Sequence, residues 1–352
     1  MQDARTPVIV VSGFLGSGKT TLLRKVLDTP ELANSMLIVN EIGEIGIDHQ
    51  LFERSDDETV LLDNGRMCCQ LRGDLQALLV DLGMRRYRGE LPSFERVFIE
   101  TSGLAEPGPI AQTLYGDGPL AKDYRLAHVV TLVDPLNPEA RNAAPAVATA
   151  QLVAADLVAI TKTDAANAAQ IEAARDWVSS VNSFANVILA VQGDIDIALL
   201  VDATPFDHPA LTQRPTGLFG SMAGIQEDAD ASTSDADAQG AYLGRQGLLH
   251  PSNVQSFVLD LGETPVDRKL FDLFMNTLLR LRGQDLLRVK GIVRFKDTPD
   301  AQLIQGVCHV YDRPVPLPDA GQSRGSVLVV IARGVGRKQV EAYWLALHEL
   351  AG

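Results

Sequence analysis

Residues Val8–Thr21 read VIVVSGFLGSGKTT, and this stretch decides the fold expected for the first half of the chain. A short apolar strand enters a glycine-rich turn, and a helical pattern begins directly after that turn. The phosphate-loop pattern G-x-x-x-x-G-K-[ST] is matched by Gly13, Gly18, Lys19 and Thr20. Glycines allow successive backbone N–H groups to face phosphate oxygens, the lysine reaches the outer phosphates, and the hydroxyl can bind Mg²⁺. The sequence therefore predicts a nucleoside triphosphate site, with candidate binding residues Gly13, Gly16, Ser17, Gly18, Lys19, Thr20 and Thr21.

The composition of the 352-residue chain favours a globular protein with two domains. The net charge of −14 argues against a large nucleic-acid surface, because phosphate backbones require a basic face. Apolar runs stay short of the ~20 residues of a membrane helix, and the first strand begins without a leader. The three cysteines, Cys68, Cys69 and Cys308, do not form a disulfide framework. We therefore expect a cytoplasmic protein that contacts neither nucleic acid nor membrane.

Short apolar strands alternate with helical patterns up to about residue 200. Predicted strands are Val8–Val11, Met36–Asn40, Val60–Leu62, Arg96–Glu100, His128–Asp134, Leu157–Thr161 and Val187–Val191. Predicted helices include Thr20–Leu27, Asp74–Leu82, Thr149–Ala154 and Ala169–Ser180. This alternation predicts an α/β fold in which a largely parallel sheet carries helices on both faces. Ligands of such sheets bind at the carboxyl ends of the strands, where the phosphate loop lies.

A second, smaller domain of α+β type is predicted towards the end of the chain. Residues 226–240 read QEDADASTSDADAQG and cannot form a core, so a flexible linker is predicted there, with a weak cation-attracting tether as the alternative. Later strands are predicted over Val254–Asp260, Asp285–Phe295, Ala301–His309 and Val327–Ala332, and helices over Pro265–Leu281 and Lys338–Leu350. The predicted division is a phosphate-loop domain over 1–204, a linker over 205–252 and a C-terminal domain over 253–352.

The segment Phe98–Gly103 is an apolar strand that ends in an acid and is followed by a glycine. A carboxylate at that strand end can hold Mg²⁺ directly or through water, which makes Glu100 a candidate catalytic and metal-binding residue. The N–H of Gly103, in the next turn, can sense a γ-phosphate. On its own Glu100 is an ordinary strand-end carboxylate, and the phosphate loop upstream makes the Mg²⁺ role the favoured interpretation.

Residues Ile160–Asp164, which read ITKTD, match the [NT]-K-x-D signature that selects guanine. Asp164 would accept hydrogen bonds from the guanine N1–H and exocyclic amine, and Lys162 would lie against the base or the phosphate loop. Adenine lacks this pair of donors and would leave a buried carboxylate unpaired. Thr161 stands where asparagine is commoner, which weakens the match without breaking it. A surface turn is the alternative interpretation.

Residues Asn40–Asp48, which read NEIGEIGID, combine two glycines with three carboxylates after the second strand. This composition, next to a nucleotide site, predicts a switch that a γ-phosphate can order. No residue stands out as the group that positions the attacking water, and Glu41 and Glu44 are the candidates for that catalytic role. A loop with solvated acids is the alternative.

Together these motifs resemble the CobW family of GTPases, which groups with UreG and HypB among the metal-centre maturation GTPases. The resemblance rests on GFLGSGKTTLL at 13–23, NEIGEIGID at 40–48, LDNGRMCCQLRGDL at 62–75, IETSGLAEP at 99–107 and TKTD at 161–164. It continues in LLRVKGIVRF at 286–295 and QGVCHVYDRPVPL at 305–317. The resemblance implies a protein that uses GTP and Mg²⁺, handles Zn²⁺ or Co²⁺ and serves a client metalloprotein. A homo-oligomeric state is left open.

The family's hallmark is a Cys-x-Cys-Cys metal motif, and this chain departs from it. Residues 66–69 read RMCC, so the cation Arg66 stands at the first cysteine position. Cys68 and Cys69 remain as candidate thiolate ligands for a transition metal, and a switch carboxylate such as Glu44 could complete the site. Two buried or redox-prone thiols are the alternative. The resemblance also implies that this segment helps to line the nucleotide pocket, where Arg66 would instead meet a phosphate or a switch carboxylate.

The favoured function is therefore a GTP-hydrolysing metallochaperone or metal-cofactor insertase of the CobW type. One alternative is a GTPase switch that acts on a protein client without a metal site of its own, and Arg66 motivates it. The other is a small-molecule kinase that uses the same phosphate loop, which the TKTD segment at 161–164 opposes.

Overall fold

The computed structural model describes residues 4–32, 34–40, 60–61, 67–71, 75–201, 254–308, 310–317 and 325–351. The first part of the chain forms an eight-stranded sheet in the order β3-β4-β2-β5-β1-β6-β7-β8. Its strands are β1 Thr6–Gly13, β2 Ser35–Asn40, β3 Val60–Leu61, β4 Met67–Leu71, β5 Arg96–Thr101, β6 Tyr124–Val133, β7 Leu157–Ile160 and β8 Asn186–Leu189. Every pairing is parallel except that of β3 with β4 at the edge. The predicted, largely parallel sheet is confirmed.

Helices cover both faces of this sheet. They are α1 Lys19–Leu27, α2 Leu75–Tyr87, α3 Gly108–Gly116, α4 Leu120–Asp123, α5 Pro138–Ala143, α6 Pro145–Ala154, α7 Ala168–Val181 and α8 Ala198–Val201. Alternate residues of β1 enter different cores, because side chains point to opposite faces of a strand. Val8 and Val10 pack in the core that includes α2 and α3, whereas Ile9 and Val11 pack in the core that includes α1. A strand buried on both faces explains the continuous apolar run VIVV.

The second part of the chain forms an antiparallel sheet in the order β12-β11-β10-β14-β9, with β13 beside β11. Its strands are β9 Val254–Gly262, β10 Leu286–Val293, β11 Ala301–Val307, β12 Val310–Tyr311, β13 Val315–Leu317 and β14 Ser326–Arg333. Two helices, α9 Arg268–Arg282 and α10 Arg337–Ala351, accompany it. Phe271, Phe274 and Trp344 from these helices are buried in one core with Val289 of β10. The predicted α+β character of this part is confirmed.

The two parts of the chain share buried contacts. Val307, at the end of β11, lies in the same core as Ile110 and Leu114 of α3. Arg288 and Lys290 of β10 both reach Asp156, which directly precedes β7, with N–O distances of 2.6 Å. Along β10 these two cations alternate with Val289, so one face of the strand meets its own helices and the other meets the first sheet.

Some elements differ from the sequence prediction. The strand β4 was not predicted, since its pairing with β2 joins residues that are far apart in the chain. The helix α3 follows Pro107 and begins with Gly108 and Pro109, which are loop signals in a sequence. The strand predicted over Ala301–His309 ends at Val307, because Cys308 has a left-handed backbone (φ 52°) that turns the chain into β12. The predicted linker over 205–252 lies outside the described residues.

Candidate nucleotide-binding site

The phosphate loop joins β1 to α1 through three glycines in conformations that other residues rarely adopt. The φ angles are 137° at Gly13, 73° at Gly16 and 95° at Gly18. At Gly13 a side chain is also excluded by space, because a Cβ would lie 2.5 Å from the carbonyl oxygen of Leu132. The structure therefore requires glycine at position 13 for two independent reasons, its backbone conformation and the lack of space. The helix α1 begins at Lys19, directly after Gly18.

Lys19 folds back over the loop that precedes it. Its Nζ donates to the carbonyl oxygens of Gly13, at 2.8 Å, and Phe14, at 3.2 Å. Burial lowers the pKa of Lys19, and the nearby Glu100 carboxylate acts in the opposite direction. The ammonium group is thus held at the mouth of the loop, where a lysine of this motif contacts the outer phosphates.

Thr20 and Glu100 meet across the sheet, from the start of α1 and the end of β5. The Thr20 Oγ1 donates to Glu100 Oε1 at 2.6 Å, and Glu100 is buried. Eighty positions separate these residues in the chain, yet the sheet brings both to its carboxyl edge. A hydroxyl and a carboxylate oxygen are ligands that suit Mg²⁺. The predicted Mg²⁺ pair, Thr20 and Glu100, is therefore together in space.

Gly103 lies against the phosphate loop. A Cβ at this position would come within 2.6 Å of the Leu15 nitrogen and 2.7 Å of its Cα, so only glycine fits. The loop after β5 is also held by Gln151 of α6, whose Nε2 donates to the carbonyl oxygens of Gly103 (3.1 Å) and Ala105 (3.0 Å). Sequence reasoning missed Gln151, although a glutamine inside the apolar run of α6 is the signal that could have identified it.

The guanine-signature segment ends β7 and touches the phosphate loop. Thr161 Oγ1 donates to the carbonyl oxygen of Ser17 at 2.8 Å, and Thr161 is buried. Lys162 has a left-handed backbone (φ 52°), and its Nζ pairs with Asp134 Oδ2 at 2.7 Å. Asp164 is exposed beside them. Threonine at the first position therefore joins the two loops directly, and Asp134, which follows β6, is a site residue that the sequence did not identify.

The residues present fit a nucleoside triphosphate with Mg²⁺. The buried Ser17 hydroxyl has no hydrogen-bond partner among the described residues, and it belongs to the loop that a phosphate would occupy. Gly16 and Thr21 lie at the two sides of this position, at the loop apex and in the first turn of α1. A buried donor without a partner is costly unless a ligand satisfies it.

The predicted transition-metal residues lie largely outside the part of the chain that the structure describes. Glu41, Glu44 and Arg66 are not among the described residues, and for Cys68 and Cys69 only the backbone of β4 is described. In the register of β4 with β2, Cys68 lies opposite Leu37 and Cys69 opposite Ile38. In the described ranges no group of three or more His, Cys, Asp and Glu side chains could hold a metal ion. Within the same ranges, no helix is both long enough and apolar enough to cross a membrane.

Comparisons with known proteins agree with this geometry. The profile of the CobW/HypB/UreG nucleotide-binding domain matches residues 7–189, and that of the cobalamin synthesis protein cobW C-terminal domain matches residues 254–347. The chain is 30% identical to the zinc chaperone YjiA of Escherichia coli over 97% of this chain and 98% of that protein. It is 28% identical to the zinc chaperone CobW of a Sinorhizobium species, over 94% of this chain and 93% of that protein.

The fold is also similar to that of a solved relative. The crystal structure of the Zn(II)-bound YjiA GTPase from E. coli superimposes with a TM-score of 0.65 at 27% identity, covering 97% of this chain and 99% of that one. The resemblance found in the motifs is thus confirmed, and with it the predicted P-loop GTPase class. The chain belongs to the CobW/HypB/UreG family.

Proposed function

We propose that this chain binds GTP with Mg²⁺, hydrolyses it slowly, and uses the nucleotide cycle to deliver zinc to a client metalloprotein. The observation that carries the proposal is the closure of the guanine-signature segment on the phosphate loop, through the 2.8 Å hydrogen bond from Thr161 to Ser17. A nucleotide bound between these two loops would contact both the residues that select the base and the residues that bind the phosphates. The zinc part rests on the full-length similarity to a relative named as a zinc chaperone.

The main predicted site residues have distinct roles in this proposal. Lys19 and the loop glycines would hold the phosphates, and Thr20 with Glu100 would hold Mg²⁺, which would neutralise phosphate charge. Gly103 meets the γ-phosphate, while Asp164 selects guanine and Lys162 supports the base. Water attacks the γ-phosphate in line, and the protein contributes positioning and charge rather than covalent chemistry. Glu41 and Glu44 remain the candidates that position the water.

A competition assay tests the nucleotide part. Labelled GTP is displaced by unlabelled GTP or ATP from the parent protein, from Asp164→Asn and from Asp176→Asn, an exposed carboxylate on α7 that serves as the matched control. We expect Asp164→Asn to weaken GTP binding about 100-fold, because an amide cannot accept from both guanine donors, and Asp176→Asn to leave it unchanged. Displacement of labelled GTP by ATP at equal concentration would support the kinase alternative and end this proposal.

The zinc site is proposed around Cys68 and Cys69. Both residues lie in β4, beside β2, whose end at Asn40 leads directly into the predicted switch. Thiolates are strong ligands for Zn²⁺, and their place next to a nucleotide-dependent segment would couple metal affinity to the bound nucleotide. Arg66 is the observation that favours the alternative, in which the GTPase acts on a client without holding metal itself.

Zinc titration with and without a non-hydrolysable GTP analogue separates these two functions. We expect zinc affinity to change about tenfold with the nucleotide, and Cys69→Ala to remove the zinc site. The matched control is Cys308→Ala, since Cys308 is a half-buried thiol in the turn after β11, far along the chain from the metal motif. Equal zinc stoichiometry in the parent and in Cys69→Ala would exclude the thiol site, and an affinity that ignores the nucleotide would exclude the chaperone cycle.

The proposed division of labour follows the predicted domains. A nucleotide domain over 1–204 runs the cycle, a linker over 205–252 follows it, and a C-terminal domain over 253–352 supplies the surface for the client. The cytoplasm is the proposed location, because thiols stay reduced there and remain able to bind metal.

A further inference from the structure

Gln151 connects a helix that has no assigned role to the loop that follows β5. It is 2% exposed, lies in α6, and directs its side chain at the carbonyl oxygens of Gly103 and Ala105. We infer that Gln151 is a positioning residue for hydrolysis, which fixes this loop so that the Gly103 N–H meets the γ-phosphate. The inference rests on the proposed GTP site. It adds to that site the residue that fixes the direction of the Gly103 N–H towards the γ-phosphate.

The hydrogen bonds define the orientation of the loop. Both partners of the Gln151 side chain are carbonyl oxygens, so its NH₂ group, with two donors, must face them. The loop also closes on itself, since the Ala105 N–H donates to the carbonyl oxygen of Ser102 at 3.1 Å. The carbonyl of Ser102 and the N–H of Gly103 belong to one planar peptide group. Fixing the Ser102 carbonyl and the Gly103 carbonyl therefore fixes the direction of the Gly103 N–H between them.

The loop has no room to move towards the phosphate loop. The backbone of Leu15 lies so close to Gly103 that no Cβ could be placed there. The backbone at Gln151 is itself anchored, because the main-chain carbonyl oxygen of Gln151 accepts from Thr131 Oγ1 on β6 at 2.9 Å. The loop is thus held between the phosphate loop and α6, and removing the Gln151 amide would leave two buried carbonyls without that donor. Each such loss costs on the order of a tenfold change in an equilibrium constant.

The test compares Gln151→Leu and Gln151→Glu with a control, Asn182, that follows α7 and hydrogen-bonds to the end of α6. Asn182 is also 2% exposed, and its Nδ2 donates to the carbonyl oxygens of Leu152 and Ala155 at the end of α6, away from the loop. Asn182→Leu therefore removes two amide hydrogen bonds at the end of α6, and the one that its Oδ1 accepts from the Phe184 N–H, without a direct contact to Gly103. For each variant the measurements are the melting temperature, the affinities for GDP and a non-hydrolysable GTP analogue, and the single-turnover rate of GTP hydrolysis.

We expect both Gln151 variants to bind the GTP analogue about tenfold more weakly relative to GDP and to hydrolyse GTP at least about tenfold more slowly. Gln151→Glu places carboxylate oxygens against carbonyl oxygens and should give the larger effect. Asn182→Leu should lower the melting temperature by a similar amount while leaving the ratio of the two affinities unchanged. If Gln151→Leu does not fold, Gln151→Met, which keeps the side-chain length, takes its place.

The positioning role is refuted if the Gln151 variants weaken GDP and the GTP analogue equally, or if they lower only the melting temperature, as the control does. Either result would make Gln151 an anchor of α6 and nothing more. Failure of the proposed function looks different, because it would show in the parent protein as an absence of guanine preference.

Discussion

The buried carboxylate of Asp156 gives the sharpest prediction for stability. Its Oδ1 accepts from Arg288 and Lys290, each at 2.6 Å, and its Oδ2 accepts from the backbone N–H of Val129 at 2.9 Å. The side chains are 7% exposed at Asp156, 4% at Arg288 and 10% at Lys290, so water screens none of these charges well. Burial by itself would raise the pKa of Asp156, but the two cations outweigh it and hold that pKa well below its usual range.

The substitution Asp156→Asn keeps the shape of the side chain and removes its charge. It leaves two buried cations with no carboxylate between them, and removing one partner of a buried pair costs about 3–5 kcal/mol. With about 2 °C per kcal/mol for a chain of this size, we expect a fall in the melting temperature of roughly 6–10 °C. The double variant Asp156→Asn with Lys290→Met should recover part of the loss, because it removes one of the two buried cations that Asp156 neutralised.

Urea unfolding followed by far-UV circular dichroism measures these free energies. The matched control is Asp194→Asn, whose carboxylate pairs with Lys25 at 3.4 Å while 75% exposed. An exposed pair contributes at most about 1 kcal/mol, so the control should barely change stability. If Asp156→Asn destabilises the protein no more than Asp194→Asn does, the ion pairs of Asp156 with Arg288 and Lys290 do not stabilise the contact between β10 and the start of β7.

Three further outcomes follow from particular residues. Burial lowers the pKa of His128 to about 4, so the unfolded chain binds a proton between about pH 6.5 and 4 that the native protein does not. The free energy of unfolding should therefore fall by about 3 kcal/mol as the pH drops through that window, and His128→Gln should remove this slope in pH-dependent urea titrations. Gly291→Ala would place a Cβ 2.3 Å from the Val327 carbonyl oxygen. In the same urea assay it should therefore lower the free energy of unfolding by at least about 2 kcal/mol. A variant as stable as the parent would show that β10 and β14 can move apart to make room for the methyl group. Thr161→Val removes the hydrogen bond to the Ser17 carbonyl and should weaken GTP binding about fivefold by calorimetry, whereas an unchanged affinity would mean that the two loops are held together by other contacts.

The parts of the site that the sequence predicted are those in which chemistry restricts both residue type and spacing. The phosphate loop is a local motif. Gly13 to Thr20 could be identified because they are consecutive in the chain, from the end of a strand through the loop to the start of a helix. Glu100 and the segment at 161–164 could be identified because each directly follows an apolar strand. In a parallel sheet such positions share one edge.

The residues that the sequence missed are those whose role depends on partners far along the chain. Gln151 and Asp134 act through residues 48 and 28 positions away. The apolar run of α6 marks Gln151 only as an unusual polar residue, and neither position shows locally which loop it contacts. Asp156 reads as a solvent-facing acid before a strand, and only the second sheet, more than 130 positions later, makes it buried. Cys308 falls inside the strand predicted over Ala301–His309, whereas its positive φ is decided by the tight return into β12.

The place of Val307 in the core beside α3 has a consequence for how the protein is made. Ribosomes add about 5–20 residues per second, so β11 emerges several seconds after the whole first sheet has left the exit tunnel. During that delay the apolar side of α3, with Ile110 and Leu114, has no cover from Val307. The nascent nucleotide-binding half therefore exposes this apolar surface until a strand translated about a hundred codons later covers it. A holding chaperone, or a premature stop in translation, would have its largest effect in this interval.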